Sequence, residues 1–390
     1  MSSRAERVEG LEGGEGIDGA QGVQRVEAVE AIERAERVVQ ALPEAGIDLL
    51  LVTALVNVRY LTGYTGSNGL VLIGPDTRTF ITDFRYLEQA AAEVHPDFER
   101  RQAPLGTPDL LEVIAETLPV GELALGFEAA HMSVRDHARL GEMLPERVAL
   151  VAAERLVEGL RAVKEPEEIE RIRAACGLAD AAFERLIGEG IAGRTELEVA
   201  IGLELAMRGL GAQRPSFETI VASGPHGALP HARPRDAVIE AGQLVVIDWG
   251  AELDGYCSDC TRTVATGDPG PAAQEAYELV LRAQLAGVRA IRAGAGGREV
   301  DAVARDLIEA GGHGEHFGHG LGHGVGIEVH EGPRLSRRSE DDLQAGNVVT
   351  VEPGVYLPGS FGVRIEDLVV VTEDGSEILT SVPKKMIVTE

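Results

Sequence analysis

QLVVIDWGAELDGYCSDCTRTV, residues 243–264, reads as two apolar strands joined by a tight turn. LVVI is a continuous apolar run, Asp248 closes it, AELDG supplies the turn and YCSDCTRTV returns as the second strand. With the turn centred between Leu253 and Asp254, Asp248 stands directly opposite Asp259. Two carboxylates at cross-strand distance repel, so keeping both ionised at neutral pH calls for a cation between them. The nominal CxxC of Cys257 and Cys260 points its thiols to opposite faces of an extended strand, which suits packing rather than redox chemistry or zinc.

The same pattern recurs in NVVTVEPGVYLPGSFGVRIEDLVVV, residues 347–371. A hairpin centred on Gly359 sets Glu352 opposite Glu366, each among Val and Ile, where an acid is seldom left unpaired. Any one of the four acids could sit at a solvated edge or pair with Arg262 or Arg364. Together they offer enough oxygen ligands for two divalent ions.

Between the hairpins lies HGEHFGHGLGHGVGIEVHEGP, residues 313–333, within a span that holds seven of the ten histidines. Glycines around His319 and His323 allow close backbone approach and leave an imidazole unobstructed. There is no GK[ST] and hence no P-loop, and neither HExxH nor a zinc-finger spacing occurs. His323 is the candidate nitrogen ligand and His330 a substrate-facing donor. Upstream, ETIVASGPHGALPHARP, residues 218–234, ends a strand in a turn with two histidines, of which His231 rather than His226 is expected to reach an oxyanion. Four carboxylates and one imidazole form a hard site suited to paired manganese, cobalt or zinc. Two such ions can share a hydroxide nucleophile and stabilise a tetrahedral oxyanion, so hydrolysis is the expected reaction class.

Further outward, IAGRTELEVA (191–200) and IRAGAGGREVDAVA (291–304) both set an Ile, a glycine turn and a Glu before a helix, which suggests two similar halves. Thr195 and Glu198 form a capping-box pattern, and Leu197, Ile201 and Leu205 share one helix face. Pro166, Glu167 and Glu168 mark the start of the first helix of this region. Upstream of it, amphipathic VEAIERAERVVQALPEAG and the strand-like IDLLLVT, GLVLIG and TRTFITD alternate as an α/β domain. Three segments result: a disordered or frayed leader over 1–24, an α/β domain over 25–157 and the catalytic domain over 158–390. The leader's GxGxxG at Gly14, Gly16 and Gly19 follows no strand and is a chance match.

With 64 Asp and Glu against 36 Lys and Arg, the chain of 390 residues carries a formal charge of −28 and repels polyanions. Its lysines number three and its aromatics 4%, so a nucleic-acid groove is disfavoured. No apolar run is long enough to span a bilayer, three cysteines cannot build a disulfide framework, and the charged start lacks a secretory core. A cytoplasmic protein without a membrane partner is expected.

The combination IDWGAELDGYCSDCTRT, GHGVGIEVHEGP, TVEPG and VRIEDLVVV resembles the M24 pita-bread metallopeptidases, which include methionine aminopeptidase, Xaa-Pro dipeptidase and aminopeptidase P. The resemblance covers roughly residues 165 to 388. It implies an α+β protein, a C-terminal pita-bread domain with a smaller N-terminal creatinase-like α/β domain. It also implies five metal ligands at Asp248, Asp259, His323, Glu352 and Glu366 for two divalent ions, manganese first. By the same resemblance His231 and His330 face substrate or stabilise an intermediate, Glu352 shuttles the proton and Arg364 supports the ligands from behind. NVRYLTGYTGSNG (57–69) and ITDFRYLEQA (81–90) are more similar to aminopeptidase P than to typical prolidase. The activity implied is that of a Xaa-Pro aminopeptidase, a homodimer whose substrates are peptides with proline at position two, with a Xaa-Pro dipeptidase as the alternative. A metal-free amidinohydrolase or a binding protein of the same fold would be expected to lack ligands that are all present here.

Overall fold

A computed structural model describes residues 30–105 and 110–389, and the chain divides into two compact units between Val157 and Glu158. The leader expected over residues 1–24, with its glycine pattern, lies outside the described residues.

In the first unit six strands form one mixed sheet, in the order Glu99–Gln102, Thr77–Thr82, Leu70–Gly74, Leu49–Val52, Leu123–Glu128, Val148–Ala153. Leu49–Val52 is a central strand buried along its whole length, so it reads as an unbroken apolar run rather than an alternating one. Glu128, at the end of a neighbouring strand, accepts hydrogen bonds from the backbone N–H of Thr53 and Ala54 at 2.6 and 2.7 Å. A carboxylate from elsewhere in the sheet thus satisfies the start of helix Leu55–Thr62, which has no side-chain cap of its own.

The second unit sets two helix pairs against antiparallel ladders. Helices Pro166–Gly188 and Glu196–Gly209 share a core with the three strands Ile220–Ser223, Leu244–Trp249 and Cys260–Ala265. Its centre is Trp249, stacked on Phe183 at 4.1 Å with its indole N–H donated to the Ala179 carbonyl at 2.9 Å. Helices Pro271–Ala290 and Gly297–Ala310 share a second core with strands of the five-stranded sheet, among them Val348–Val351 and Asp367–Val371. The two halves suggested by the echo are therefore real as helix-pair-on-ladder units.

Local signals act as their chemistry directs at the helix starts. Glu165 and Glu168 cap the first helix reciprocally with Pro166 in its first turn, and Thr195 and Glu198 do the same for the second. The shared face of Leu197, Ile201 and Leu205 on the second helix is exposed, while Val199, Leu203 and Met207 fill the core. ELEVAIGLELAMRG carries apolar residues on both faces, so periodicity alone does not select the buried one.

Where the two cores meet the ladders, Asp367 is fully buried and bonded on both oxygens. Arg262 and Thr380 reach Oδ1 at 2.8 and 3.0 Å, and Gln284 and Lys384 reach Oδ2 at 2.8 and 2.5 Å. Burial opposes ionisation, but the charges of Arg262 and Lys384 hold this carboxyl below its ordinary value. Asp367→Ala would strand two cations, and a loss of about 3–5 kcal/mol in denaturant unfolding is expected. A loss below about 1 kcal/mol would show that the cluster anchors nothing.

Candidate metal centre

The first hairpin turns one residue later than the sequence reading put it. Asp254 (φ 49°) and Gly255 (φ 80°) both adopt left-handed backbone, the two central positions of a type I′ turn. Asp248 consequently pairs with Thr261, not with Asp259, and Asp259 falls in the break between Tyr256–Cys257 and Cys260–Ala265. The break is specific to glycine on the other strand, since a Cβ at Gly250 would collide with the Ser258 carbonyl. Asp259 is two residues from Thr261 and so keeps its facing, and both aspartates line the same cavity. They are diagonal neighbours rather than an opposed pair.

The second hairpin keeps the expected register. Val351 pairs with Asp367 on one side and Gly354 with Arg364 on the other, which sets Glu352 opposite Glu366 in the gap between the two ladders. In that gap the Glu352 N–H bonds to the Leu321 carbonyl and the Glu366 N–H to the Thr261 carbonyl, at 2.8 and 3.1 Å. Each glutamate is therefore fixed by backbone outside its own hairpin, Glu352 by the residue before strand Gly322–Gly324 and Glu366 by strand Cys260–Ala265. His323 comes from the short strand Gly322–Gly324, where a Cβ on either glycine would strike the carbonyl of Thr350 or Gly332. Close packing of that strand is what the glycines permit.

These elements bring the five expected ligands into one cavity. Asp259, His323 and Glu366 are buried, and their ligand atoms lie within 4.8 Å of one another. Nε2 of His323 is 3.3 Å from Oε1 of Glu352 and 3.7 Å from Oδ2 of Asp259. Its Nδ1 lies 3.1 Å from the Gly324 carbonyl, so with a proton kept on Nδ1 the Nε2 lone pair becomes available to a cation once Nε2 gives up the proton it shares with Glu352. Arg364 donates to Asp248 Oδ2 at 2.6 Å and to Thr261 Oγ1 at 3.0 Å, and Thr261 in turn donates to Glu366 at 2.7 Å. The other oxygen of Asp248 is buried without a hydrogen-bond partner.

Electrostatics argue the same way. Burial, then the charges of Glu366, Asp248 and Glu352, push Asp259 well above the usual carboxylate range, and burial with Glu352 and Asp248 does the same to Glu366. Asp248 is raised too, by burial and Glu352 against the pull of Arg364. Against its own burial, Glu352 is held at about 2 by the hydrogen bond and charge of His323, then by His319 and Arg364. Such a cluster needs positive charge, and Arg364 alone leaves an unpaired oxygen and three strained carboxylates. An Asp/His/Glu set of this kind fits a divalent cation.

The remaining expected residues divide. His231 and His330 line the cavity, whereas His226 is buried against Glu196 at 2.9 Å and serves the loop rather than the site. Loss of water around the ring, then His323 and Arg334, press His330 down to about 4, so its imidazole is neutral at pH 7. Cys257 and Cys260 are both buried, their thiols directed at the carbonyls of Ile327 and Glu366. Sequence reasoning missed a relay behind the site. Arg364 donates to the Tyr356 hydroxyl at 2.9 Å, and that hydroxyl lies 2.9 Å from Nε2 of His319. His319 stands between glycines and was visible as a candidate, but Tyr356 carries no local signal. Arg334, on the cavity wall, was also missed.

Comparison with known proteins agrees with this geometry. Residues 170–373 match metallopeptidase family M24, and residues 34–163 match the creatinase/prolidase N-terminal domain. An uncharacterized peptidase of Bacillus subtilis (strain 168) is 45% identical over 88% of this chain and 97% of its own. The structure of a Xaa-Pro dipeptidase from Bacillus anthracis superposes with a TM-score of 0.87 at 43% identity, covering 92% of this chain and 99% of that one. An X-Pro aminopeptidase structure from Thermotoga maritima MSB8 gives 0.82 at 40% identity, covering 91% and 100%. Similar chains from Pyrococcus furiosus and Pyrococcus horikoshii also bear the name Xaa-Pro dipeptidase. Two acidic hairpins around a histidine strand, in a chain that also carries an N-terminal creatinase-like domain, therefore make this chain a pita-bread member of metallopeptidase family M24, in its Xaa-Pro-specific branch.

Proposed function

We propose that this chain is a Xaa-Pro dipeptidase, hydrolysing the bond between a first residue and a C-terminal proline, with two divalent cations held by Asp248, Asp259, His323, Glu352 and Glu366. The observation that carries the dipeptide reading is Arg334, an exposed guanidinium on the wall of the acid-floored cavity of about 660 Å³. A dipeptide presents its carboxylate one residue from the scissile bond, and a guanidinium is the side chain best shaped to take it. More of the similar named chains are dipeptidases than aminopeptidases, which supports the same choice.

Bound cations would supply Lewis acidity, lowering the pKa of bound water toward neutrality and favouring negative charge on the scissile carbonyl oxygen. The chain's own residues do the rest. Glu352 is ionised at neutral pH, so its carboxylate can accept a proton and release it to the prolyl nitrogen as that bond breaks. His330, neutral, can donate one N–H toward the carbonyl oxygen without adding a charge to be desolvated. His231 approaches from the opposite loop, and Arg364 keeps Asp248 in place. A Xaa-Pro amide has no N–H to read, so apolar walls such as Phe217 and Val329 recognise the ring by shape.

A Xaa-Pro aminopeptidase is the second reading, favoured by the Thermotoga maritima structure and by the N-terminal motifs. Ala-Pro assayed beside Ala-Pro-Pro with added manganese separates them. The expected result is a kcat/KM at least about tenfold higher for the dipeptide, falling by about 10- to 100-fold in Arg334→Met, mostly through KM. Preference for the tripeptide, unaltered by that substitution, would establish the aminopeptidase instead.

A further inference from the structure

Behind the wall that carries His330 lies a buried charge cluster that the chemistry above does not use. Glu331 is 8% exposed, and Arg161 and Lys164, 3% and 4% exposed, converge on its carboxylate. Arg161 donates to Oε1 at 2.5 Å and Lys164 to Oε2 at 3.2 Å. Oε1 also accepts the backbone N–H of Glu328 at 3.0 Å, and Arg161 holds the Glu328 carboxylate at 2.8 Å. A Cβ at Gly326 would lie 2.7 Å from Glu331 Oε2, so the chain before His330 is wrapped closely around this one carboxylate.

Residues 326–330 form a continuous bend outside any strand or helix. The same bend is also held by the Gly326 N–H on the Glu328 carbonyl at 3.0 Å, the Cys257 N–H on the Gly326 carbonyl at 2.8 Å, the Cys257 thiol on the Ile327 carbonyl, and a contact of the His330 ring with that of His323, centroids 4.4 Å apart. Where a strand would fix His330 by its ladder, the Glu331 carboxylate does so by accepting from the loop and from two fixed cations. A buried ionic cluster is a poor source of net stability compared with apolar packing, whereas it is well suited to fixing one geometry. His330 lines the cavity, and Glu331 turns from it into the interior.

We infer that Glu331, clamped by Arg161 and Lys164, is the positioning residue for His330, holding its imidazole at the angle from which it meets the scissile carbonyl. This rests on the substrate-facing role given to His330 under the proposed function. Glu331 itself touches neither substrate nor the metal ligands. Its removal should therefore lower turnover while leaving cation binding intact.

The test is a double-mutant cycle on the manganese-loaded full chain, with Ala-Pro as substrate and bound manganese and thermal unfolding measured for every variant. Glu331→Gln preserves volume and one acceptor, and is expected to lower kcat by about 10- to 100-fold with manganese content unchanged, as for other residues that orient a reacting group. In the His330→Ala background the same change is expected to cost less than about threefold, because the group it positions is gone. An equal loss in both backgrounds, or full activity in Glu331→Gln, would overturn the inference while leaving the His330 role standing. Wild-type activity in His330→Ala would remove that role and the inference with it. Should Glu331→Gln fail to fold, Lys164→Met leaves Arg161 on the carboxylate and enters the same cycle, with a smaller loss expected in kcat and the same dependence on His330.

Discussion

Asp259→Asn is expected to lower kcat for a Xaa-Pro substrate by at least about 10³-fold, with loss of tight manganese binding and little change in fold. The size follows from the several kcal/mol of charge stabilisation that cations supply in such a reaction. The position follows from geometry, since Asp259 sits in the ladder break, buried, with its oxygen within 4.8 Å of ligand atoms on His323 and Glu366. Asparagine keeps the volume and removes the charge that burial and three neighbouring carboxylates already strain. The apoprotein of this variant should accordingly be at least as stable as the wild-type apoprotein, because a repulsive charge has gone. Kinetics, bound-metal analysis and thermal unfolding on one preparation separate these effects. Full turnover with two bound cations would remove Asp259 from the ligand set.

The second large effect concerns pH. In an unfolded chain aspartate and glutamate titrate near 4. In the folded chain Asp248, Asp259 and Glu366 all titrate above their ordinary values, so the folded state holds their protons to higher pH than the unfolded state does. Their contribution to apoprotein stability is complete below about 4 and is lost as pH rises through the raised folded values. Glu352, held at about 2, works in the opposite sense, but its contribution is lost only as pH falls below about 4 toward 2, outside the neutral range. Chelation should therefore destabilise the protein more at pH 8 than at pH 5. Cation binding must displace the same protons, so manganese affinity should rise over that interval with release of protons to buffer. Melting temperatures with manganese or with chelator, at both pH values, provide the check. An equal or larger gap at pH 5 would mean that the carboxylates are not the cation site.

Much of this site was legible from local pattern. The VEPGVYLPGSFGVRIED hairpin is nearly symmetric about Gly359, so its register and the Glu352–Glu366 opposition followed from counting. The other hairpin was misread by one residue because its turn was centred between Leu253 and Asp254. Asp-Gly is the strongest short turn signal, and its need for left-handed backbone at both residues puts the turn at Asp254 and Gly255. With that rule applied, Asp259 would have been expected opposite Gly250 and diagonal to Asp248. The buried face of helix Glu196–Gly209 was not legible, because apolar residues on two faces leave the choice to tertiary packing.

Other parts of the site depend on contacts far apart in sequence, which no spacing rule reveals. Tyr356 joins the Arg364–His319 relay only because two strands and a glycine-rich loop meet there. Glu331 and Arg161 are 170 residues apart, so their contact is invisible before folding. The acids themselves were found because buried carboxylates break an apolar pattern. Of their partners Arg364 was named with them, whereas Tyr356 was missed because a tyrosine in a strand reads equally well as packing or surface.

The most direct test is a titration of chelated protein with manganese at pH 8, following bound ions per chain and Ala-Pro hydrolysis together. The expected result is activity that is absent from the metal-free protein, rises as manganese binds and saturates at two ions per chain. Undiminished Ala-Pro hydrolysis by protein verified free of metal would contradict it.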